Sequence, residues 1–217
     1  MARWAVFDVD GTLLAGFSME RRFVDYLLRR KKLPLKNLLN YFLKILTAFW
    51  SKDGMTAVRA NKYYLSKYPV AAVERESETC FQRYIAPFFF KAGKQKIECL
   101  RREGYKILII SGAPSFLARR LQNIYCPDYL ICAELENNNG LYTGNLSGFY
   151  PYGQGKRILL EEIRAKLDLD FSQSIVFANH YSDIHHMKLF GRVVAVNPGF
   201  RLRRTAKKYG WQIVSWP

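Results

Sequence analysis

Apolar and polar positions along this chain alternate between two rhythms. Short, nearly unbroken apolar runs occur at Trp4–Phe7, residues 105–111, Tyr129–Ala133, residues 174–178 and Arg192–Val196, and read as buried strands. Between them, apolar residues recur three and four apart, the period of a helix with one buried face. This spacing predicts helices over residues 16–32, with Ser18 as N-cap, then 35–50, 54–67 and 70–85. Further helices are expected over 91–103, 114–124, 154–167, 182–190 and Phe200–Tyr209, with a last strand near residues 211–215. Leu141–Leu146 reads as a β-hairpin turning at Gly144-Asn145. Strands that alternate with helices imply an α/β fold around a parallel sheet. No strand is expected between residues 16 and 90, so the first strand is followed by an inserted helical block. The domain expectation is a core of residues 1–15 and 91–217 and a helical insert of residues 16–90.

The second helix stands out. Leu35, Leu38, Leu39, Phe42, Ile45, Leu46 and Phe49 make a broad apolar face, while Lys36, Asn37, Asn40 and Lys44 lie largely elsewhere. Packing against neighbouring helices is the expected use of such a face. A basic amphipathic helix of this kind also suits the surface of an anionic membrane. Charge sharpens that alternative. Lys and Arg number 34 against 18 Asp and Glu, a net charge of +16, which favours anionic partners, among them phosphorylated substrates and acidic membrane. No nucleic-acid module is recognised. With 49% hydrophobic residues, the 217-residue chain can bury a substantial core. Its four cysteines form no CxxC pair, as expected of free thiols in a reducing compartment. Met1-Ala2-Arg3 leads straight into the first strand, and no uninterrupted apolar window spans a bilayer. The expected location is cytoplasmic, with the inner membrane surface as a peripheral alternative.

The chemistry starts at the end of the first strand. Asp8 and Asp10 are two residues apart, so they leave the strand towards one side and crowd each other. Such a pair needs a cation or a shared proton. Gly11 permits a sharp turn, and Thr12 can satisfy loop backbone groups. Ser111-Gly112 ends the second core strand, where a hydroxyl and free backbone N–H groups suit an anion. Lys156, after Gly153-Gln154-Gly155, can reach inward to neutralise phosphoryl charge, with Arg157 as its rival. A fourth apolar strand runs into Asn179-His180-Tyr181-Ser182-Asp183. The histidines, His180, His185 and His186, cluster here, but His185 and His186 diverge by about 100° on a helix and are poorly placed to share a metal.

Phe7-Asp8-Val9-Asp10-Gly11-Thr12-Leu13 resembles the first motif of the haloacid dehalogenase-like phosphatase superfamily, and Ser111, Lys156 and Asp183 are similar to its later motifs. The long insert after the first strand is similar to the cap of the phosphoserine-phosphatase-like branch. The resemblance implies a Rossmann-like core, a helical cap, and a magnesium-dependent phosphatase. It implies Asp8 as nucleophile, Asp10 as acid and base, and Ser111, Gly112 and Lys156 as phosphate-binding residues. It places Mg2+ among Asp8, the Asp10 backbone carbonyl, Asn179 and Asp183. Asn179 departs from the family, which has an acid there; an amide oxygen carries no charge, so weaker metal binding is expected. Phe17 stands where phosphoserine phosphatases have the Glu that contacts the substrate amine, and Glu20 is expected on a different helical face. A small phosphorylated metabolite is therefore the expected substrate. The alternatives are a phospholipid headgroup, in the manner of phosphatidylglycerophosphate phosphatases, then phosphoserine, or a catalytically weak phosphate-binding protein.

Overall fold

The structure, a computed structural model, describes residues 2–48, 50 and 54–217. β1 (Trp4–Phe7) is followed by α1 (Met19–Arg29), α2 (Leu35–Ala48), α3 (Gly54–Ala60) and α4 (Val70–Cys80). Then come α5 (Lys91–Arg102), β2 (Lys106–Pro114), the short helices α6 (Ser115–Ala118) and α7 (Gln122–Tyr125), and β3 (Tyr129–Ala133). A hairpin of β4 (Leu135–Asn138) and β5 (Leu141–Leu146) leads to α8 (Gln154–Ile163) and β6 (Ile175–Ala178). The chain finishes with α9 (Ile184–Met187), β7 (Arg192–Val196), α10 (Phe200–Tyr209) and β8 (Gln212–Val214).

Six strands form one sheet in the order β3-β2-β1-β6-β7-β8, and every neighbouring pair is parallel. β1 is central and all four of its residues are buried. A parallel strand covered on both faces has no polar side to show, which is why it reads as an unbroken apolar run. Alternation still sorts its side chains. Ala5 and Phe7 join the core on one face, beneath α1 and α4, and Trp4 and Val6 join the core on the other, with Leu160 of α8 and Leu202 of α10. Phe7 stacks on Phe177 of β6, ring centroids 4.4 Å apart. The expected α/β fold, with helices inserted after the first strand, is the observed one.

Several elements differ from expectation, each for a local reason. The hairpin turns at Asn139-Gly140, both with positive φ, and not at Gly144-Asn145. Gly144 lies within β5, where a side chain would meet the Tyr63 backbone at 2.9 Å. Its positive φ serves a close approach, not the turn. The hairpin is also tied to the insert: Tyr142 N–H donates to Tyr68, and Lys67 N–H donates to Tyr142. The helix expected over 54–67 ends at Ala60, because the Asn61 side chain captures the Tyr63 N–H at 3.0 Å and competes with the helix backbone. Helix α8 stops at Ile163, short of residue 167. The helix expected over 182–190 is a 3-10 turn at Tyr181–Asp183 followed by the four residues of α9.

The largest departure is α2. Asn37, Leu38 and Tyr41 turn inward, with Asn37 Nδ2 donating to the Tyr64 and Ser66 carbonyls at 3.2 and 2.7 Å. Leu35, Leu39, Phe42 and Leu46 are exposed, so the apolar face packs on its neighbours only in part. Phe49, expected at its end, lies outside the described residues. No described helix is long and apolar enough to cross a membrane.

The Phe7–Phe177 stack joins the two strands that carry Asp8 and Asn179 at their ends. Phe177→Ala should cost about 3–5 kcal/mol in chemical denaturation, the usual range for emptying a buried aromatic site.

Candidate active site

Asp8 follows the last residue of β1, and its backbone N–H still donates to the Phe177 carbonyl of β6 at 3.0 Å. The chain then turns tightly: the N–H groups of Thr12, Leu13 and Leu14 all point back to the Val9 carbonyl. That turn brings Thr12 beneath Asp8. Thr12 Oγ1 donates to Asp8 Oδ2 at 2.8 Å, so the hydroxyl holds the carboxylate and does not satisfy loop backbone as expected. Asp10 Oδ1 accepts from the Met19 N–H at 2.9 Å, at the start of α1. The first turn of the insert thereby orients the second carboxylate.

Lys156 lies in the first turn of α8, where Gly155 permits a contact that no side chain would: a Cβ there would meet the Tyr150 carbonyl at 2.0 Å. The Lys156 ammonium is buried and donates to Asp8 Oδ1 at 2.6 Å and to Asp183 Oδ1 at 2.8 Å. Arg157 is not a rival; it points outward and pairs with Glu161. Asn179 follows β6 and packs against Gly11, where any Cβ would fall 1.9 Å from the Asn179 amide nitrogen. Asn179 Oδ1 is buried and has no hydrogen-bond partner. Asp8, Asp10, Gly112, Lys156, Asn179 and Asp183 line one cavity of about 560 Å³. Ser111, expected among the phosphate-binding residues, does not line it. Its buried Oγ accepts from the Ala113 N–H at 3.1 Å, and Gly112 and Ala113 form the wall.

Burial sets the protonation of these groups. It pushes the Asp8 carboxyl upward, against the opposing pull of Lys156 and Thr12. Burial also raises Asp10 to about 7; the Met19 N–H works against the shift and the nearby Asp8 adds to it. Lys156 goes the other way. Burial disfavours its charge, but Asp183 and Asp8 outweigh that and raise its pKa. His186 is fully buried, 3.9 Å from Asp183 Oδ1, and burial keeps it neutral. His180 instead bonds its own turn through Ser182. Among the described residues no three His, Cys, Asp or Glu side chains form a ready metal cage. The orphaned Asn179 oxygen, beside buried carboxylates, nevertheless fits one hard divalent cation.

The insert supplies the opposite wall, and here the sequence misled. Glu20, expected on another helical face, lines the cavity together with Phe17. It does not stand free. Lys62 Nζ donates to Glu20 Oε2 at 2.7 Å and Tyr64 Oη donates to Oε1 at 2.9 Å. Lys62 is 1% exposed, and its ammonium also donates to the Arg59 carbonyl and lies 5.3 Å from the centre of the Tyr150 ring. Arg21 stacks over Phe17 and Arg59 over Tyr152. Lys62, Tyr64, Tyr150 and Arg59 carry no motif of their own; only the one-turn offset of Glu20 from Phe17 hinted that either could face the site.

Because the folded state raises the Asp10 pKa, the fold binds that proton more tightly than the unfolded chain does. Its contribution to stability is complete below about pH 4 and is lost as pH rises through about 7. In EDTA, Asp10→Asn should therefore stabilise the protein at pH 8, by an amount on the order of 3 kcal/mol, and leave pH 4 stability unchanged; denaturant titrations at both pH values measure this.

Comparison with known proteins gives this geometry a family. The model of haloacid dehalogenase-like hydrolases matches residues 5–188. The chain is 24% identical over 214 residues to a phosphoserine phosphatase of Mycobacterium tuberculosis, covering 96% of this chain and 69% of that one. It is 24% identical over 226 residues to a histidinol-phosphatase of Neisseria meningitidis, covering both chains in full. Among solved structures, a protein of unknown function from Bordetella pertussis superposes with a TM-score of 0.83 at 19% identity, over 99% and 98% of the two chains. A phosphoserine phosphatase in its apo form superposes with a TM-score of 0.67 at 16% identity, over 94% and 90%. The chain belongs to the haloacid dehalogenase-like hydrolase family and is an enzyme of its phosphatase branch.

Proposed function

We propose that the chain hydrolyses a small phosphorylated metabolite through a phosphorylated Asp8, with Mg2+ as its cofactor. The observation that carries this reading is the buried Lys156 ammonium, which spans Asp8 and Asp183 in a cavity also lined by Asp10. Asp8 attacks phosphorus while the bond from phosphorus to the alcohol oxygen breaks. Asp10, with a pKa of about 7, is partly protonated at neutral pH and gives its proton to the departing oxygen. The resulting Asp10 carboxylate then takes a proton from water. That water attacks the phosphoaspartate, phosphate leaves, and Asp8 is regenerated. Lys156 offsets the negative charge on the transferring group, and the Gly112 and Ala113 backbone lies at the cavity wall to receive its oxygens. Asp8, the Asp10 carbonyl, Asn179 and Asp183 would hold a magnesium ion, which would supply positive charge to the phosphoryl oxygens. In this reading residues 16–90 act as the cap that closes the cavity.

The cap wall bears on the substrate. Glu20 is already paired with Lys62, so it is not free to recognise an ammonium group on the substrate. Arg21 and Arg59 add positive charge, and Tyr41, Tyr64, Tyr150 and Tyr152 add aromatic surface. This wall favours an alcohol that is apolar or anionic over phosphoserine, despite the names of several relatives.

Asp8→Asn should lower kcat on an aryl phosphate by about 10³-fold or more, and absence of any Mg2+-dependent turnover by the wild type across a phosphoester panel would sink the hydrolase reading. Asn179→Asp should lower the Mg2+ concentration for half-maximal activity by about ten-fold. Phosphoglycerate should exceed phosphoserine in kcat/KM, and Lys62→Met, which releases Glu20, should narrow that gap; a wild type that prefers phosphoserine refutes the specificity argument.

A further inference from the structure

The insert carries an apolar stripe that nothing in the described chain covers. Along α2, Leu35, Leu39, Phe42, Leu43 and Leu46 recur at i, i+4, i+7, i+8 and i+11, which is one side of a helix. Their exposures run from 50% to 81%, and Trp50 and Met55 are also exposed, at 93% and 61%. The inward side of the same helix is separate: Asn37, Leu38 and Tyr41 make the contacts with the rest of the insert. Monomeric proteins rarely leave such a contiguous apolar surface in water.

The charge around the stripe says what covers it. From residue 26 to residue 52 the sequence holds seven Lys and Arg and no Asp or Glu. Among the described residues of this segment, Lys32 alone has an acidic ion-pair partner, Glu76; Arg29, Arg30, Lys31 and Lys36 are exposed. Two copies meeting through this face would bring the same uncompensated cations together. An anionic bilayer meets both requirements, since its headgroups receive the cations and its acyl boundary receives the apolar side chains.

We propose that α2 docks the protein flat on an anionic lipid bilayer. Leu35, Leu39, Phe42, Leu43 and Leu46 enter the headgroup–acyl boundary, and the cations of residues 29–36 lie among the headgroups. The contact is peripheral, because no described helix is long and apolar enough to cross a membrane. Tyr41, on the inner side of α2, lines the catalytic cavity, so docking fixes one cavity wall to the membrane. This surface stands independently of the hydrolase reading.

Co-sedimentation of the full chain with vesicles tests it. The protein should pellet with phosphatidylcholine–phosphatidylglycerol vesicles, not with phosphatidylcholine alone, and added salt should weaken the binding. The triple variant L39Q/F42Q/L46Q should bind more than about ten-fold more weakly, and K31E/K36E should also lose affinity. Both should keep wild-type melting and wild-type turnover of a soluble aryl phosphate, which separates loss of docking from loss of catalysis. No pelleting with the anionic vesicles at low salt, or equal pelleting of the triple variant, overturns the proposal. So does a dimer, detected by light scattering, that the triple variant dissolves while vesicle binding is absent.

Discussion

The Lys156 ammonium, buried between Asp8 and Asp183, is the interaction on which the site depends. A charge out of water is tolerated only when its partners are close and well aimed. Three separate pieces of chain meet that demand. β1 delivers Asp8, the turn after β6 delivers Asp183, and α8 delivers the lysine. Gly155 allows α8 to start hard against the Tyr150 carbonyl, and Gly11 leaves the space that Asn179 fills. The central strands therefore do more than form a core: their parallel register puts residues from distant segments at one sheet end, where open α/β sheets hold their ligands.

The same low-polarity surroundings divide labour between two neighbouring carboxylates. Asp8 has a cation and a hydroxyl to hold it. Asp10 has one backbone N–H, and burial leaves it with a pKa of about 7. A carboxyl poised near neutrality suits proton transfer in both directions. Asn179 introduces an imbalance. It offers an oxygen without a charge, so a cation placed here would rest more on the neighbouring carboxylates.

The insert has two faces of different character. Its inner wall presents Glu20, Arg59 and tyrosines to the cavity, with the Glu20 charge already met by Lys62. Its outer side presents an apolar stripe among cations. Both faces share α2, whose Tyr41 looks inward and whose Leu39 and Phe42 look outward. The hairpin of β4 and β5, which comes from after β3, bonds to this insert through Tyr142, so strand and helix elements far apart in sequence support one wall.

Much of this was legible in the sequence, because strong local patterns carry it. Five apolar runs gave five strands of the sheet, and strand–helix alternation gave its parallel sense. Asp8 and Asp10 are marked by their spacing at a strand end, and Lys156, Asn179 and Asp183 by their resemblance to later family motifs; the structure gathers all five around one cavity. What the sequence left open required distances across the fold. Thr12 is an ordinary turn residue until Asp8 is seen beside it. Gly144-Asn145 has turn chemistry, but Tyr63 needs that glycine's missing side chain and Asn139-Gly140 takes the turn. Glu20 and Lys62 lie 42 residues apart and carry no joint signature, yet they meet at 2.7 Å. Periodicity fixed that α2 is amphipathic; only the packed structure decided that most of its apolar side has no neighbour, because burial depends on what the other helices bring to it.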